Sequence, residues 1–226
     1  MYGYDMKELR EFIVNSFSKC SLSVNSFCER AYNLPGYLGQ GISRTAFSFR
    51  EYPNIVFKVC IGNDGDICCD DAEREAQRWE YAVDEDVAYY FAETEYLCDI
   101  KVYADNWKED EYGEDHYVVD YSHTYNVPVY IQSRVDSTWY DSDMKWNLED
   151  QSKTILSREK KVYDNLEEWI SDVDDDRLFS ALFIRKYGVN EYIRLANFIR
   201  DYNISDLHSN NWGVKEGELV ILDYAM

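Results

Sequence analysis

The sequence has few basic residues, few histidines and no paired-cysteine motif. Its 226 residues contain 23 Lys and Arg against 44 Asp and Glu, which gives a formal net charge of −21 at pH 7. An electrostatic field of that sign repels phosphate backbones, and no local basic cluster offsets it. We therefore expect no direct binding to nucleic acid.

Metal-ligating and membrane-inserting patterns are also scarce. There are three histidines, and the six cysteines at 20, 28, 60, 68, 69 and 98 form no C-x-x-C pair, so a structural zinc site is not expected. Asp5, Lys7 and Glu8 interrupt the first apolar residues, and no apolar run approaches membrane-spanning length. These features predict a cytoplasmic protein with mostly free thiols and no membrane association.

Aromatic residues, by contrast, are abundant. The chain has 21 Tyr, 10 Phe and 6 Trp, and hydrophobic residues make up 46% of the sequence. That composition excludes a disordered acidic tail, because the chain has ample apolar surface to bury. The length fits one domain or two small lobes.

Periodicity predicts a helix followed by strands in the first part of the chain. Asp5 and Glu8 fit a capping box, and the apolar residues that follow recur at helical spacing, which predicts a helix over 6–19. Between Tyr37 and Val59, alternation and turn residues predict three antiparallel strands, the last two joined as a hairpin through Pro53.

The middle of the chain gives weaker signals. We expect a helix over Ala72–Val83, capped by Asp70 or Asp71. Two strands are expected at Tyr117–Tyr121 and Val127–Val135, whereas 84–116 is too irregular and acidic to assign. The polar stretch 136–165 has the composition of an insertion or loop.

The last third reads as helices followed by a hairpin. The expected elements are helices at Leu166–Ser171 and Arg177–Tyr187, a helix capped by Asn190 after Gly188, a loop from Asn203 to Asn211, and a hairpin of Trp212–Val214 with Leu219–Leu222. A strand-rich half, 1–135, and a helical half, 136–226, predict an α+β protein with two lobes that face a cleft.

Two features in the strand region suggest phosphate chemistry. Gly39 and Gly41 lie in a turn between strands, where the absence of side chains lets backbone N–H groups approach phosphate oxygens. Lys58 interrupts the apolar run Ile55–Val59, and a lysine in a buried strand needs an anionic partner. Solvent exposure on an edge strand is the alternative for Lys58.

The acidic helix that follows can supply that partner. Glu75 is the preferred candidate, because Ala72, Ala76 and Trp79 place the buried stripe beside it. Glu73 stays open as the alternative.

A third group of residues carries oxygen ligands. Asp206 and Asn211 lie five positions apart on a predicted loop, and Asp223 follows at the end of an apolar strand. A hairpin would bring them together. Two carboxylates and a carboxamide suit Mg²⁺ and supply a base for an attacking hydroxyl group.

This ordered set resembles the protein-kinase-like superfamily over residues 37–226. The segment Asp206-Leu207-His208-Ser209-Asn210-Asn211 is similar to its catalytic loop, and Asp223-Tyr224-Ala225 stands at the Asp-Phe-Gly motif. The closest resemblance is to small phage-encoded serine/threonine kinases, which have a similar Gly-x-Gly-x-x-Ser turn. The implied fold has an antiparallel-sheet N-lobe and a reduced helical C-lobe.

The resemblance implies a role for each matching residue. Asp206 would be the catalytic residue that accepts or orients the substrate hydroxyl, and Asn211 and Asp223 would hold Mg²⁺. The remaining residues would bind ATP: Gly39, Gly41 and Ser43 over the nucleotide, Lys58 on the α- and β-phosphates, Glu75 paired with Lys58, and hinge residues Ser133 and Val135 through backbone contacts to adenine.

Three features depart from the superfamily pattern. Ile204-Ser205 replaces the His-Arg or His-Gly that braces the catalytic loop, and Tyr-Ala follows Asp223 instead of Phe-Gly. The sequence ends three residues after Asp223, so we expect no activation segment and none of the helices that follow it.

The resemblance implies an ATP- and Mg²⁺-dependent kinase that transfers the γ-phosphate to Ser or Thr of host proteins, as a phage host-takeover or anti-defence factor in the host cytoplasm. Two alternatives stay open. The charge of −21 also fits a catalytically inactive kinase-like protein that inhibits a host factor by nucleic-acid mimicry. His208 stands where phosphotransferases often have histidine, which fits a small-molecule kinase.

Overall fold

The structure, a computed structural model, describes residues 3–18, 22–110, 112–135, 179, 183–184, 186–204 and 211–224. These residues form a mixed α+β protein with an antiparallel five-stranded sheet, a two-stranded hairpin and few helices. The predicted α+β class is confirmed. The chain divides into two compact units, here called the first unit (residues 1–76 and 94–133) and the second unit (77–93 and 134–226).

The described elements have the following bounds. The helices are α1 (Met6–Ser18), α2 (Val24–Arg30), α3 (Asp70–Asp84) and α4 (Val189–Asp201). The strands are β1 (Tyr37–Gln40), β2 (Thr45–Phe47), β3 (Ile55–Val59), β4 (Thr94–Glu109), β5 (Asp115–Ser133), β6 (Trp212–Lys215) and β7 (Glu218–Ile221).

The five-stranded sheet of the first unit has the order β1-β2-β3-β5-β4. The predicted β2–β3 hairpin is confirmed, with Phe47 opposite Phe57. One face of the sheet carries Phe47, Phe57 and Ile131, which are all fully buried. Because side chains alternate along a strand, this pattern leaves Lys58 on the opposite face.

Helix α1 packs against the apolar face of the sheet. Its side chains Leu9 and Ile13 are fully buried, and they share one core with the strand residues. Asp5 caps the helix, because its Oδ1 accepts from the N–H of Lys7 at 2.7 Å. The predicted first helix is therefore present, and its apolar stripe is the reason it docks there.

Strands β4 and β5 differ most from the sequence expectation. The unassigned stretch 84–116 contains the 16-residue strand β4, and the two strands predicted at 117–121 and 127–135 are parts of the single strand β5. Beyond Tyr103 the pair is largely exposed, as at Trp107 and Tyr121. Exposure on both faces removes the apolar alternation by which strands are recognised in a sequence.

The second unit packs α4 against the terminal hairpin. Leu195 and Phe198 of α4 share a core with Ile221 and Tyr224. The predicted hairpin is confirmed, and its turn residues Glu216 and Gly217 both have positive φ (53° and 83°). Two central residues of this kind match the right-handed twist of the strands.

Two predicted helix caps are wrong. Helix α3 begins at Asp70, so Asp70 and Asp71 lie in its first turn and do not precede it. Helix α4 has Gly188 at its N-cap, which places Asn190 inside the helix. In both cases the candidate cap residue lies in the first two positions of the helix. Acidic side chains stabilise a helix there as well, because the N-terminal end of the helix dipole is positive.

Three further expectations concern the second half. The predicted helix at 166–171, the insertion at 136–165 and the loop residues 205–210 lie outside the described residues. The chain divides at Ser133 and Arg134, near the expected boundary at 135, but residues 77–93 group with the second unit and not with the first. Among the described helices, none has the length and apolar character to cross a membrane.

Candidate functional site

Lys58 lies in a row of residues that crosses three strands of the first unit. Gly39 of β1 is in register with Ala46 of β2, which is in register with Lys58 of β3. Residues in register project from the same face of a sheet. A glycine, an alanine and a lysine therefore lie side by side on the face opposite the apolar core.

Glu75 of α3 is the ion-pair partner of Lys58. Its side chain is 0% exposed, and its Oε1 and Oε2 accept from Lys58 Nζ at 3.1 and 2.9 Å. The pairing expected from the sequence is thus present, and the open choice between two glutamates is resolved, because Glu73 is exposed. Lys58 is 9% exposed, so the solvent-exposed alternative for this lysine is wrong.

Three further side chains complete the group around Glu75, and the sequence analysis missed all of them. Arg44 Nη1 donates to Glu75 Oε2 at 2.6 Å, and Gln132 Nε2 donates to Oε1 at 3.2 Å and to Thr94 Oγ1 at 2.9 Å. One carboxylate thus accepts from a lysine, an arginine and a carboxamide. Arg44 has the clearest signal in hindsight, because it directly follows the Gly-x-Gly-x-Ser turn.

The glycine turn is fixed by backbone hydrogen bonds. Gly41 N–H donates to Arg44 O at 2.8 Å, and Asn63 N–H donates to Gly41 O at 3.0 Å. Ser43, predicted to cover a nucleotide, is half-buried in the same turn. Because Arg44 also contacts Glu75, the turn is connected to helix α3.

The fold itself does not require glycine at 39 or 41. Neither residue has a positive φ. A Cβ atom added at Gly39 would meet nothing within 4 Å, and one at Gly41 would lie 3.8 Å from Arg44 O. There is consequently open space above Gly39, beside the row that contains Lys58.

The two predicted hinge residues have different surroundings. Ser133 ends β5 opposite Ile55 and is 1% exposed, and its Oγ has no hydrogen-bond partner among the described residues. A buried hydroxyl without a partner is unfavourable by roughly 1–3 kcal/mol, so it calls for an explanation. Val135 belongs to the second unit, where it packs with Ala92 and Val220.

In the second unit, the hairpin brings two predicted magnesium ligands together. Asn211 O accepts from Leu222 N–H at 2.7 Å and from Asp223 N–H at 3.5 Å. Asn211 is 7% exposed, and Asp223 is half-buried. A carboxamide and a carboxylate are thus carried on adjacent backbone segments.

Tyr224, which stands where the resemblance places a phenylalanine, is fully buried. Its hydroxyl donates to Ala92 O at 2.7 Å, and its ring contacts Phe91 with centroids 5.0 Å apart. The extra oxygen of tyrosine is therefore satisfied. This departure from the motif leaves the residue in the core, where it anchors the segment that carries Asp223.

Asp206, the predicted catalytic residue, lies outside the described residues. Asn203 and Ile204, which precede it, are described. Ile204 is buried, and its N–H donates to Ile199 O at 2.8 Å, so the backbone at Ile204 is fixed at the end of α4.

Two cysteine-containing features near the site have ordinary explanations. Burial raises the pKa of the Cys60 thiol to about 12, although the charge of Arg44 opposes that rise, so the thiol is protonated and unreactive at neutral pH. Cys69, Asp70 and Glu73 lie close enough to hold a metal ion, but Asp70 and Glu73 are exposed at the start of α3. Acidic residues favour that position through the helix dipole alone. The described cysteines, Cys28, Cys60, Cys68, Cys69 and Cys98, are free thiols.

Comparison of the chain with family models, curated proteins and solved structures finds no match in any of the three. Functional conclusions therefore rest on the residues themselves and on their geometry.

Proposed function

We propose that this protein is an ATP- and Mg²⁺-dependent phosphotransferase with a two-lobed, protein-kinase-like architecture. The observation that carries the proposal is the buried ion pair between Lys58 and Glu75. In this arrangement Glu75 fixes the lysine ammonium group, and Lys58 contacts the α- and β-phosphates of ATP.

Stability alone gives a poor account of that ion pair. Taking two charges out of water is so unfavourable that a protein is often at least as stable with an apolar pair of similar volume in place of the ion pair. Here the side chains of Lys58, Arg44 and Glu75 are only 11%, 10% and 0% exposed. A functional requirement for a fixed ammonium group explains why charged residues occupy these positions.

The surroundings of Lys58 fit a nucleotide. Gly39 has no side chain and Ala46 has only a methyl group, so neither projects far from the sheet beside Lys58, and the space above Gly39 is open. A flat base and a phosphate chain need such a surface.

The donor set of the second unit fits Mg²⁺. Asn211 and Asp223 offer a carboxamide oxygen and a carboxylate, and Mg²⁺ prefers oxygen ligands of this kind. When bound, the ion would neutralise charge on the phosphate oxygens. The backbone bond from Leu222 to Asn211 keeps the two ligand-bearing segments adjacent.

Asp206 completes the proposed reaction. Its carboxylate accepts the proton of a Ser or Thr hydroxyl while the hydroxyl oxygen bonds to the γ-phosphorus. The bond from that phosphorus to the bridging oxygen breaks, and ADP leaves. The resemblance to phage-encoded kinases favours host proteins as substrates. A kinase that acts on a small molecule is the second candidate.

A thermal-shift titration with ATP and MgCl₂ tests nucleotide binding. A ligand at about one hundred times its dissociation constant raises the free energy of unfolding by roughly 2.7 kcal/mol. The wild type should gain stability of that order, and Lys58→Met should lose most of the gain. Lys101→Met is the matched control, because Lys101 is an exposed lysine of β4 in the same unit, and it should respond like the wild type.

A transfer assay with γ-labelled ATP tests catalysis. Wild-type protein should label itself or a protein in a host extract, and Asp206→Ala should lower the rate by orders of magnitude. Absence of an ATP effect in the wild type, or an equal effect in Lys58→Met, overturns nucleotide binding at this site. Equal transfer by Asp206→Ala overturns the catalytic role.

A further inference from the structure

Arg78, on the second half of α3, bonds to the backbone at two separate places. Its Nη1 donates to Tyr224 O, and its Nη2 donates to Asn203 O at 3.1 Å. Tyr224 directly follows Asp223, and Asn203 lies three residues before Asp206. One guanidinium group therefore contacts both chain segments that carry the predicted acidic residues.

Each of these segments has its own anchor, and Ile204 and Tyr224 both belong to the hydrophobic core of the second unit. Asn203 has a φ of +50° where α4 ends, and its N–H donates to Arg200 O at 3.1 Å. Tyr224 is held by burial and by its hydroxyl bond to Ala92. The guanidinium adds a direct hydrogen-bonded link between the two backbone segments, because its N–H donors form a rigid planar fork.

The sequence lacks the usual brace for such a loop. Ile204-Ser205 stands where the resemblance places His-Arg, and Ile204 contributes an apolar side chain that is buried. We infer that Arg78 takes over this bracing as a positioning residue, so that the end of α4 at Asn203 and the segment that carries Asp223 keep one separation. The inference rests on the proposed function, since it concerns the same magnesium-binding segment.

The bracing should affect metal affinity first. Residues that orient metal ligands without touching the metal typically change its affinity by about 10–100-fold when they are removed. Because Arg78 bonds to the main-chain oxygens of Asn203 and Tyr224, its loss should raise the Mg²⁺ concentration that the protein needs. Contacts of ATP with the first unit should change little.

The test uses the full chain and an MgCl₂ titration of the ATP-induced rise in melting temperature. Arg78→Gln should need about tenfold or more Mg²⁺ for half of the rise. The rise caused by ATP without metal should stay as in the wild type. Arg74→Gln is the matched control: Arg74 lies on the same helix, its side chain is 56% exposed, and it pairs only loosely with Asp71 at 4.0 Å. It should keep the wild-type Mg²⁺ requirement.

The outcomes separate the inference from the proposed function. If the wild type shows no ATP response, the proposed function fails. If the wild type responds and Arg78→Gln has the same Mg²⁺ requirement, the bracing role is overturned while nucleotide binding stands.

A second variant decides the matter should Arg78→Gln fail to fold. Arg78→Lys keeps the charge, but an ammonium group on a flexible stem does not reproduce the two-pronged fork. It should fold and show a raised Mg²⁺ requirement, whereas a wild-type requirement in Arg78→Lys overturns the inference.

Discussion

Replacing Glu75 by glutamine removes the one carboxylate that accepts from Arg44, Lys58 and Gln132. Glutamine has nearly the same shape, so the substitution changes charge and hydrogen bonding but leaves the packing volume. The Glu75 side chain is 0% exposed, and the side chains of Arg44 and Lys58 are 10% and 11% exposed. Water therefore has little access to solvate Arg44 and Lys58 once the carboxylate is removed.

The expected loss of stability is large. Removing one partner of a buried ion pair lowers the free energy of unfolding by about 3–5 kcal/mol. We take the lower end, about 3 kcal/mol, because both cations keep some solvent contact. With a urea dependence of about 2 kcal/mol per molar, this corresponds to a fall of about 1.5 M in the unfolding midpoint. Lys58→Met should be milder, because Glu75 keeps its bond to Arg44.

Urea unfolding followed by circular dichroism and tryptophan fluorescence measures this effect. Glu73→Gln is the matched control on the same helix, and it should change stability by less than about 0.5 kcal/mol because Glu73 is exposed. In the Lys58→Met background, Glu75→Gln should be less harmful by about 1–3 kcal/mol. A midpoint within about 0.3 M of wild type, or strictly additive effects, would refute an energetic role for the pair.

Three further predictions use the same unfolding assay. Burial raises the pKa of the Cys60 thiol to about 12, so as pH rises the thiol ionises in the unfolded chain before it does so in the folded protein. The free energy of unfolding should therefore fall by about 2 kcal/mol between pH 8 and 10.5. Cys60→Ala should reduce that fall, and an unchanged pH profile would contradict the assignment. Tyr224→Phe loses the hydroxyl bond to Ala92 and should lower stability by about 1 kcal/mol, so a variant as stable as the wild type argues against that bond. Gly39→Ala should leave stability within about 0.5 kcal/mol, because its Cβ enters open space, yet weaken the ATP response; unaltered ATP affinity would place the nucleotide elsewhere.

Local patterns predicted the elements whose apolar residues face one core. Helix α1 follows from the spacing of Leu9 and Ile13, and the β2–β3 hairpin follows from alternation around Pro53. The terminal hairpin follows from an apolar strand and the turn residue Gly217. In each case burial on one face and exposure on the other leaves a period in the sequence.

The sequences of the long strands β4 and β5 do not show such a period. The first half of β4 and the second half of β5 contain most of the buried residues of the pair, but the part around Trp107 and Tyr121 is exposed, and the register shifts between Tyr103 and Ala104. A shift of this kind moves the alternation out of phase. Pairing between two chain segments, and not local preference, decides that both form strands, so a single-sequence pattern underestimates them.

The same difference between local patterns and long-range contacts decides which residues of the candidate site could be predicted. The lysine could be singled out because a charge within an apolar strand conflicts with burial, and Glu75 followed from its place beside the buried stripe of α3. Gln132 could not, because it is ordinary in its local context and becomes notable only when distant segments bring it to the Glu75 carboxylate. Arg44 had one local signal, its position directly after the glycine turn, but that position does not identify Glu75 as its partner. Arg78 was missed for the same reason, since its partners are backbone oxygens more than 120 residues away.

Helix α3 makes the general point clearest. A surface helix buries apolar residues and exposes charges, yet here Glu75 is as buried as Ala72 and Ala82. Three positions later, Arg78 bonds to the backbone oxygens of Asn203 and Tyr224. Departures from binary patterning are expected at functional sites, because elsewhere selection for stability removes them. Glu75, buried in an ion pair, and Arg78, bonded to two backbone oxygens, are the two charged residues of α3 that its apolar pattern does not explain.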